Sequence, residues 1–371
     1  MRVLVFGQVG LRKKRFLERL QKLAATRNRF INVYHMGTVM GEIDDTVPRG
    51  RILNRDVVDI AGARRAAVSQ IAAELDNRDS RLRMRAETVP EVHVVNTHAV
   101  FRWSHGLFPG FKPVEIRQLA PSICVTLIDN VQNVARSLEL REARPNPLTL
   151  YDIMAWREEE ILAGDLAAAS VSDCRNYVVP IDGGEETVFR LLFNPKGTRV
   201  YLSYPISRVK TVPSAWRQVE LYRTKVKDHF TCFDPYSICE GMLVDDLRQA
   251  GSGRPDDYVA LGVPREPEGV LKRTRAEVES IVPYVNAQIV GRDYRLIDQS
   301  DLLVAYFPVR NGTPELSEGV EQELAHARGL GRDTHAIWPS KKPFSPFLLS
   351  QGRTTVHKSV SDFLEAALPR P

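Results

Sequence analysis

Short apolar runs recur along this chain, each closed by polar or glycine-rich residues, and most are followed by apolar positions at helical spacing. Met1-Arg2-Val3-Leu4-Val5-Phe6 opens the pattern. A turn from Gly7 to Gly10 follows, then Phe16, Leu17, Leu20 and Leu23 on one helical face. Runs at Val92–Ala99, Pro121–Asp129, Arg199–Ser207 (a strand followed by a turn) and Leu302–Phe307 repeat it. A strand that is apolar on both faces belongs in a parallel sheet covered by helices on each side, whereas a one-sided sheet alternates. Strand, turn and helix in succession therefore predict an α/β fold with parallel sheets.

Turn-forming clusters divide this pattern in two. Asp182-Gly183-Gly184 and Asn194-Pro195-Lys196-Gly197 flank a short apolar stretch, Thr187–Phe193, that reads as a strand. The boundary falls there, giving domains of residues 1–190 and 197–371, which a chain of 371 residues accommodates. Within the second domain, Gly251 to Asp257 reads as an exposed loop, and Thr274 to Val282 as a helix that covers a pocket.

Composition narrows the class. With 43% apolar and 26% charged residues the chain is an ordinary globular protein. A net charge of +5, with Lys and Arg scattered apart from Arg12 to Arg15, favours small anionic ligands over a nucleic-acid groove. Cys124, Cys174, Cys232 and Cys239 lack the C-x-x-C spacing of a metal or redox site and read as reduced core cysteines of a cytoplasmic protein. No apolar run approaches a membrane span, so no membrane association is expected.

Candidate chemistry concentrates between Arg292 and Pro339. Arg292 and Asp293 precede the Leu302–Phe307 strand, with Asp301 just before it, and Ser317-Glu318-Gly319-Val320 opens a helix after it. Ser317 suits an N-cap, and the unsatisfied N–H groups of a helix start hold anions. Glu323 lies about one and a half turns into that helix. Acids and an anion cradle at the carboxyl edge of a parallel sheet sit where such sheets bind ligands.

Arg292, Asp293, Leu296, Ile297 and Asp301, followed by Ser317, Gly319, Val320, Glu323 and Leu324, resemble the nucleoside 2-deoxyribosyltransferase superfamily, and within it the nucleotide 5′-monophosphate N-glycosidases. Tyr201 and Pro205 in Tyr-Leu-Ser-Tyr-Pro-Ile match the start of that Rossmann-like, flavodoxin-type sheet. The resemblance covers about 197–345, except for 240–280. It implies Glu323 as nucleophile, Asp293 as the acid near the base, Ser317 and Gly319 as a 5′-phosphate cradle, and a homodimer. Asp301 has two readings, a sugar contact or a clamp on the neighbouring loop. Tyr201 also has two, a base-stacking ring or filling for the sheet. Asn311 to Leu316 is longer than the corresponding loop of the family. The residue types suit the bond: cleaving an N-glycoside leaves positive charge on the sugar, which a carboxylate stabilises or captures, while a second acid protonates the leaving nitrogen.

The first domain resembles P-loop nucleoside-monophosphate kinases, of the archaeal adenylate kinase type, across about 1–185. The resemblance rests on Gly7, Gly10 and Lys13 in a strand–turn–helix setting and on the strand end Asn96-Thr97-His98-Ala99. It implies phosphate contacts from Lys13, Lys14, Asn96, Arg141 and Arg144. Arg12 and Lys14 depart from the Gly and Ser/Thr of G-x-x-x-x-G-K-[ST], and Asn96 stands where the family has Asp. With both metal-handling positions altered, the expectation is a nucleotide-binding domain, ATP being one candidate, with weakened Mg²⁺-dependent phosphotransfer. The combined reading is a nucleotide N-glycosidase that needs no cofactor for its chemistry. Base exchange, the same cleavage on NAD, and a silent nucleotide sensor are its alternatives.

Overall fold

The computed structural model describes residues 1–43, 57–85, 91–103, 106–141, 148–238, 240–344 and 354–368. It is mixed α/β and divides into two units, one of Met1–Leu192 with Ile238–Asn286, the other of Phe193–Ser237 with Ala287–Pro371.

In chain order the first unit begins β1 (Arg2–Phe6), α1 (Lys13–Thr26), β2 (Ile31–His35), α2 (Met36–Ile43), α3 (Val57–Arg85), β3 (Val92–Asn96), β4 (Val100–Trp103) and β5 (Gly106–Pro109). It continues α4 (Pro113–Leu119), β6 (Ile123–Ile128), α5 (Val131–Arg141), α6 (Leu150–Ala169), β7 (Arg175–Pro180) and α7 (Glu185–Phe193). Its main sheet has the order β2-β3-β1-β6-β7, all parallel. Val3, Leu4, Val5 and Phe6 are all within 1% of full burial, as a central strand covered on both faces requires. α6 starts where Thr149 and Asp152 cap each other, the Thr149 hydroxyl accepting from Asp152 N and the Asp152 carboxylate from Thr149 N.

One expectation fails here. Thr187–Phe193 is helix, not strand. Val188, Phe189, Leu191 and Leu192 are buried at spacings of one, three and four, and Glu185 and Glu186 sit in the first turn, where acids complement the helix dipole. Too few residues were apolar for the two periods to be told apart from sequence.

The second unit starts with β8 (Arg199–Ser203), α8 (Ile206–Val209), α9 (Pro213–Lys227) and β9 (Thr231–Phe233). The chain then returns to the first unit for α10 (Gly241–Gln249) and an antiparallel hairpin of β10 (Tyr258–Val263) and β11 (Glu266–Thr274). α11 (Arg275–Asp298) follows, with residues from 287 onward counted in the second unit. The unit closes with β12 (Leu302–Tyr306), the short β13 (Val309–Arg310) and β14 (Thr313–Pro314), α12 (Glu318–Gly329), β15 (Asp333–Ile337), β16 (Thr354–His357) and α13 (Val360–Ala367). Its sheet order is β16-β15-β12-β8-β9, all parallel. Counted within the unit and read from the β9 edge this is 2-1-3-4-5, the flavodoxin-like order, whose ligand crevice lies between its first and third strands, here β8 and β12. Asn311 and Gly312, at φ 50° and 75°, turn the chain between β13 and β14.

The assignment of 251–257 and of helix 274–282 to the second domain is corrected by this division. Buried polar links fasten 238–286 to the first unit. Arg157 donates to both Glu240 oxygens at 2.6 and 2.9 Å, and Val131 N donates to the same carboxylate. Arg265 reaches Asp129 at 2.6 Å, and Leu150 N donates to Glu277 at 2.8 Å. Burial pushes the Asp129 carboxyl up to about 6, against the pull of Arg265 and Asn133.

Arg157 and Glu240 are both almost fully buried, at 3% and 0% exposure. Removing one member strands the other charge in the interior, which costs about 3–5 kcal/mol. Glu240→Ala is therefore expected to lower the stability of the first unit by about that amount. Urea unfolding followed by probes in each unit checks this, with the second unit's transition held at its wild-type midpoint.

Candidate active site

The second unit gathers its polar side chains around one carboxylate. Residues two apart on a strand share a face, so Tyr201 and Ser203 of β8 project together. Both hydroxyls donate to Glu323 of α12, Tyr201 to Oε1 at 3.0 Å and Ser203 to Oε2 at 2.5 Å. β8 is fixed by its parallel register with β12, in which Tyr201 pairs with Leu303 and Ser203 with Ala305. Leu324, fully buried beside Glu323, seats the helix on the core.

Burial raises the Glu323 carboxyl to about 8, and the nearby Asp293 charge adds to the rise, while the two hydroxyls and Arg292 oppose it. Asp293, near the end of α11, is likewise raised by burial and lowered by Arg292, whose Nε and Nη2 donate to its Oδ1 at 3.3 and 3.2 Å. Glu323, pushed up by burial and by the Asp293 charge, keeps its proton near neutrality, while Arg292 stabilises the charge on Asp293. That division supplies an ionised carboxylate and a proton donor in one place.

Ser317 takes the N-cap position of α12 in extended conformation, and its hydroxyl makes no capping bond. Gly319 faces open space, the nearest atom to an added Cβ being Ser317 Oγ at 3.5 Å. Hydroxyl, helix-start N–H groups and the bare Gly319 backbone together leave room for an anion. Pro205, buried, caps the one-turn α8 after β8, and its carbonyl accepts from Arg208 N at 3.0 Å.

Two sequence readings are settled. Asp301 does not join the acids at the carboxyl edge. It sits at the amino end of β12, where it accepts from Arg199 N at 2.9 Å and from the Arg199 guanidinium at 2.9 and 2.5 Å. Its N–H in turn donates to Arg199 O, so it is the clamp on the start of β8. Strand direction decides this: a residue before a parallel strand lies a strand's length from its carboxyl edge. Tyr201 is fully buried and its hydroxyl is spent on Glu323, so it fills the sheet and positions the carboxylate instead of stacking on a base. Ser203 was missed; its period-two spacing from Tyr201 was the available signal.

In the first unit, the loop after β1 turns at Gly7, φ 140°, where an added Cβ would lie 2.7 Å from Leu127 O, and at Gly10, φ 102°. Lys13 folds inward. Its ammonium donates to Gly7 O at 2.6 Å and to Thr97 O, with His98 Nδ1 at 3.2 Å. Lys14 is exposed, and the Asn96 amide meets His35 Nδ1 at 2.9 Å. A cavity of about 700 Å³ is lined by this loop together with Lys13, Lys14, Asn96 and His98. The side chain of Arg141 and all of Arg144 lie outside the described residues. Sequence reasoning also missed Glu160, a fully buried carboxylate that accepts from Gly7 N, Ala99 N and Val100 N at 2.7 to 3.0 Å and so pins the loop to the strand end. Its place in Arg157-Glu158-Glu159-Glu160 carries no local sign of burial.

Among the described residues no group of three or more His, Cys, Asp or Glu is placed to hold a metal ion, and no helix is long and apolar enough to cross a membrane. No protein-family model matches the chain, and no curated protein matches it.

The folded state holds the Glu323 proton up to about pH 8, whereas an unfolded Glu releases it near its ordinary 4.5. Its contribution to stability is therefore full below the unfolded pKa and is lost as pH rises through 8, and the raised Asp293 acts in the same direction. Glu323→Gln does not titrate. Relative to wild type it is expected to gain stability between pH 5 and 8.5, by roughly 2–4 kcal/mol at one pKa unit per 1.36 kcal/mol. Denaturant midpoints at the two pH values measure this, and parallel pH dependences would remove the buried-acid assignment.

Proposed function

We propose that the second unit cleaves the N-glycosidic bond of a nucleoside 5′-monophosphate. The observation that carries the reading is the Glu323 carboxylate, held by the Tyr201 and Ser203 hydroxyls with Asp293 as a second acid beside it. In this reading the Glu323 proton passes to Asp293 as substrate binds, and Glu323, now ionised, approaches the anomeric carbon from the face opposite the base. As the bond from that carbon to the base nitrogen breaks, its electron pair goes to the base and Asp293 delivers a proton to the leaving group. Glu323 stabilises the resulting sugar cation or captures it as an ester. Water then attacks the anomeric carbon, gives its proton to Asp293 and releases sugar phosphate, which restores both acids.

Tyr201 and Ser203 serve this scheme through Glu323. Hydrogen bonds to an ionised carboxylate are the stronger kind and favour its charged form. They also fix the plane in which its oxygens face the sugar. In the same reading the first unit is a nucleotide-binding module with little phosphotransfer, because Arg12, Lys14 and Asn96 occupy positions that close backbone approach and metal contact would need.

Glu323→Gln preserves size and hydrogen-bonding reach but supplies neither nucleophile nor counter-charge. Base release, followed by chromatography of a nucleotide panel, is expected to fall on the order of 10³-fold or more. A folded variant that releases base at the wild-type rate would refute this assignment of the site.

The Ser317 cradle favours a dianion over a neutral 5′-hydroxyl. Charge-assisted contacts of this kind predict that a monophosphate exceeds its parent nucleoside in kcat/KM by on the order of 10²-fold. Equal values would shift the reading to base exchange between nucleosides, and a competition assay with a second free base detects that directly.

A further inference from the structure

The loop between β1 and α1 contains a side chain whose backbone is held at a cost. Arg12 has φ 58° and ψ 34°, the left-handed conformation, at the N-cap of α1. A non-glycine residue there is disfavoured, because its Cβ crowds the following carbonyl oxygen. Its guanidinium turns to the β10–β11 hairpin of the same unit and meets Glu266 at 2.6 Å, a carboxylate shared with Arg136 at 3.6 Å. Both partners of the Arg12–Glu266 pair are about a quarter exposed. The charge of Arg12 and Arg136 holds the Glu266 carboxyl below its ordinary range.

Arg12 also lines the 700 Å³ cavity, with Lys13, Lys14 and Arg15, against a single carboxylate, Glu18. Lys14 and Arg15 are exposed and engage no counter-ion among the described residues. A second cavity of about 520 Å³ shares Val9, Lys14, Asn96 and His98 with the first, and Met36, Met40, Ile60 and Phe101 give it an apolar floor. Between the two, the Asn96 Oδ1 atom is sealed from solvent without a hydrogen-bond partner. The first cavity sets the cationic side chains of Arg12, Lys13, Lys14 and Arg15 against the one carboxylate of Glu18, which suits an anion and leaves a hard divalent cation without the several anionic oxygens that it prefers.

We propose that this cleft binds a polyphosphate group without a divalent metal, and that Arg12 reaches the ligand by exchanging Glu266 for it. The proposal rests on the nucleotide-binding reading of the first unit and adds the chemistry of capture. Glu266 occupies the guanidinium while the cleft lacks an anion, and an arriving polyphosphate, with more charge and more acceptor oxygens, displaces it. Lys14 adds charge at the rim, and the apolar second cavity takes whatever uncharged moiety the polyphosphate carries.

Titration calorimetry on the full chain, with inorganic pyrophosphate and with ATP, each in EDTA and in Mg²⁺, tests this. Pyrophosphate is expected to bind in EDTA, with no tightening by Mg²⁺. Lys14→Ala, an exposed site, is expected to weaken binding about tenfold, as loss of one charged contact does. Glu266→Gln frees Arg12 and is expected to tighten binding by up to about fivefold, the strength of a partly exposed pair. Glu266→Asp, which keeps the charge, is expected to stay near wild type. In an Arg12→Gln background the Glu266→Gln effect is expected to vanish, which a loss of folding would not produce. ATP binding that requires Mg²⁺ would overturn the proposal while preserving nucleotide binding, and unchanged affinity in Glu266→Gln would overturn the exchange. Absence of binding by either probe would remove both readings.

Discussion

A parallel strand buried on both faces can carry polar chemistry only where it is met by a specific partner or where it ends. Both sheets of this protein are built under that constraint. In the first, β1 is apolar from Val3 to Phe6, and polar residues line the cavity once it has passed into the loop from Gly7 to Lys13. In the second, Tyr201 and Ser203 lie within the buried sheet, and each is matched to one oxygen of Glu323. A carboxylate with those partners is tolerable in a place where an unpartnered one would not be. The raised pKa that remains reflects what burial beside Asp293 still costs its charged form.

The same logic explains why so much of the first unit is tied together by carboxylates. Glu160 collects three main-chain N–H groups that the glycine loop and the β3–β4 connection would otherwise leave unsatisfied. Glu240 does this for Val131 N and for the Arg157 guanidinium. These acids hold loops in shape around the cleft, whereas Glu323 and Asp293 oppose one another electrostatically. An acid surrounded by donors is a fastening. Glu323 instead stands beside a second acid, Asp293, whose charge pushes its pKa up.

Several elements were legible because their signals are local. The strands at Arg2–Phe6, Val92–Asn96 and Leu302–Tyr306, the helix behind Ser317, and the glycine loop all follow from apolar runs, cap residues and turn residues within a few positions of each other. Thr187–Phe193 was misread because its five apolar residues in seven positions do not separate the two periods, and its acidic first turn was the deciding feature. The passage of 238–286 to the first unit had no local signal. It depends on Arg157 meeting Glu240 and Asp129 meeting Arg265, pairs separated by 83 and 136 positions.

The sequence by itself determined the apolar strands at Arg2–Phe6, Val92–Asn96 and Leu302–Tyr306, the two parallel α/β sheets, and the presence of Glu323, Asp293 and Ser317 around one strand and helix. The tertiary structure alone decided which acids meet. Asp301 and Asp293 stand eight residues apart in the chain, yet strand direction sends one to the amino end with Arg199 and α11 brings the other close enough to act on Glu323. It also decided that the Tyr201 hydroxyl serves the carboxylate, and that Arg12 pairs with a hairpin more than two hundred residues away. Periodicity records which face of an element is buried, and it carries no information on which distant element supplies the partner.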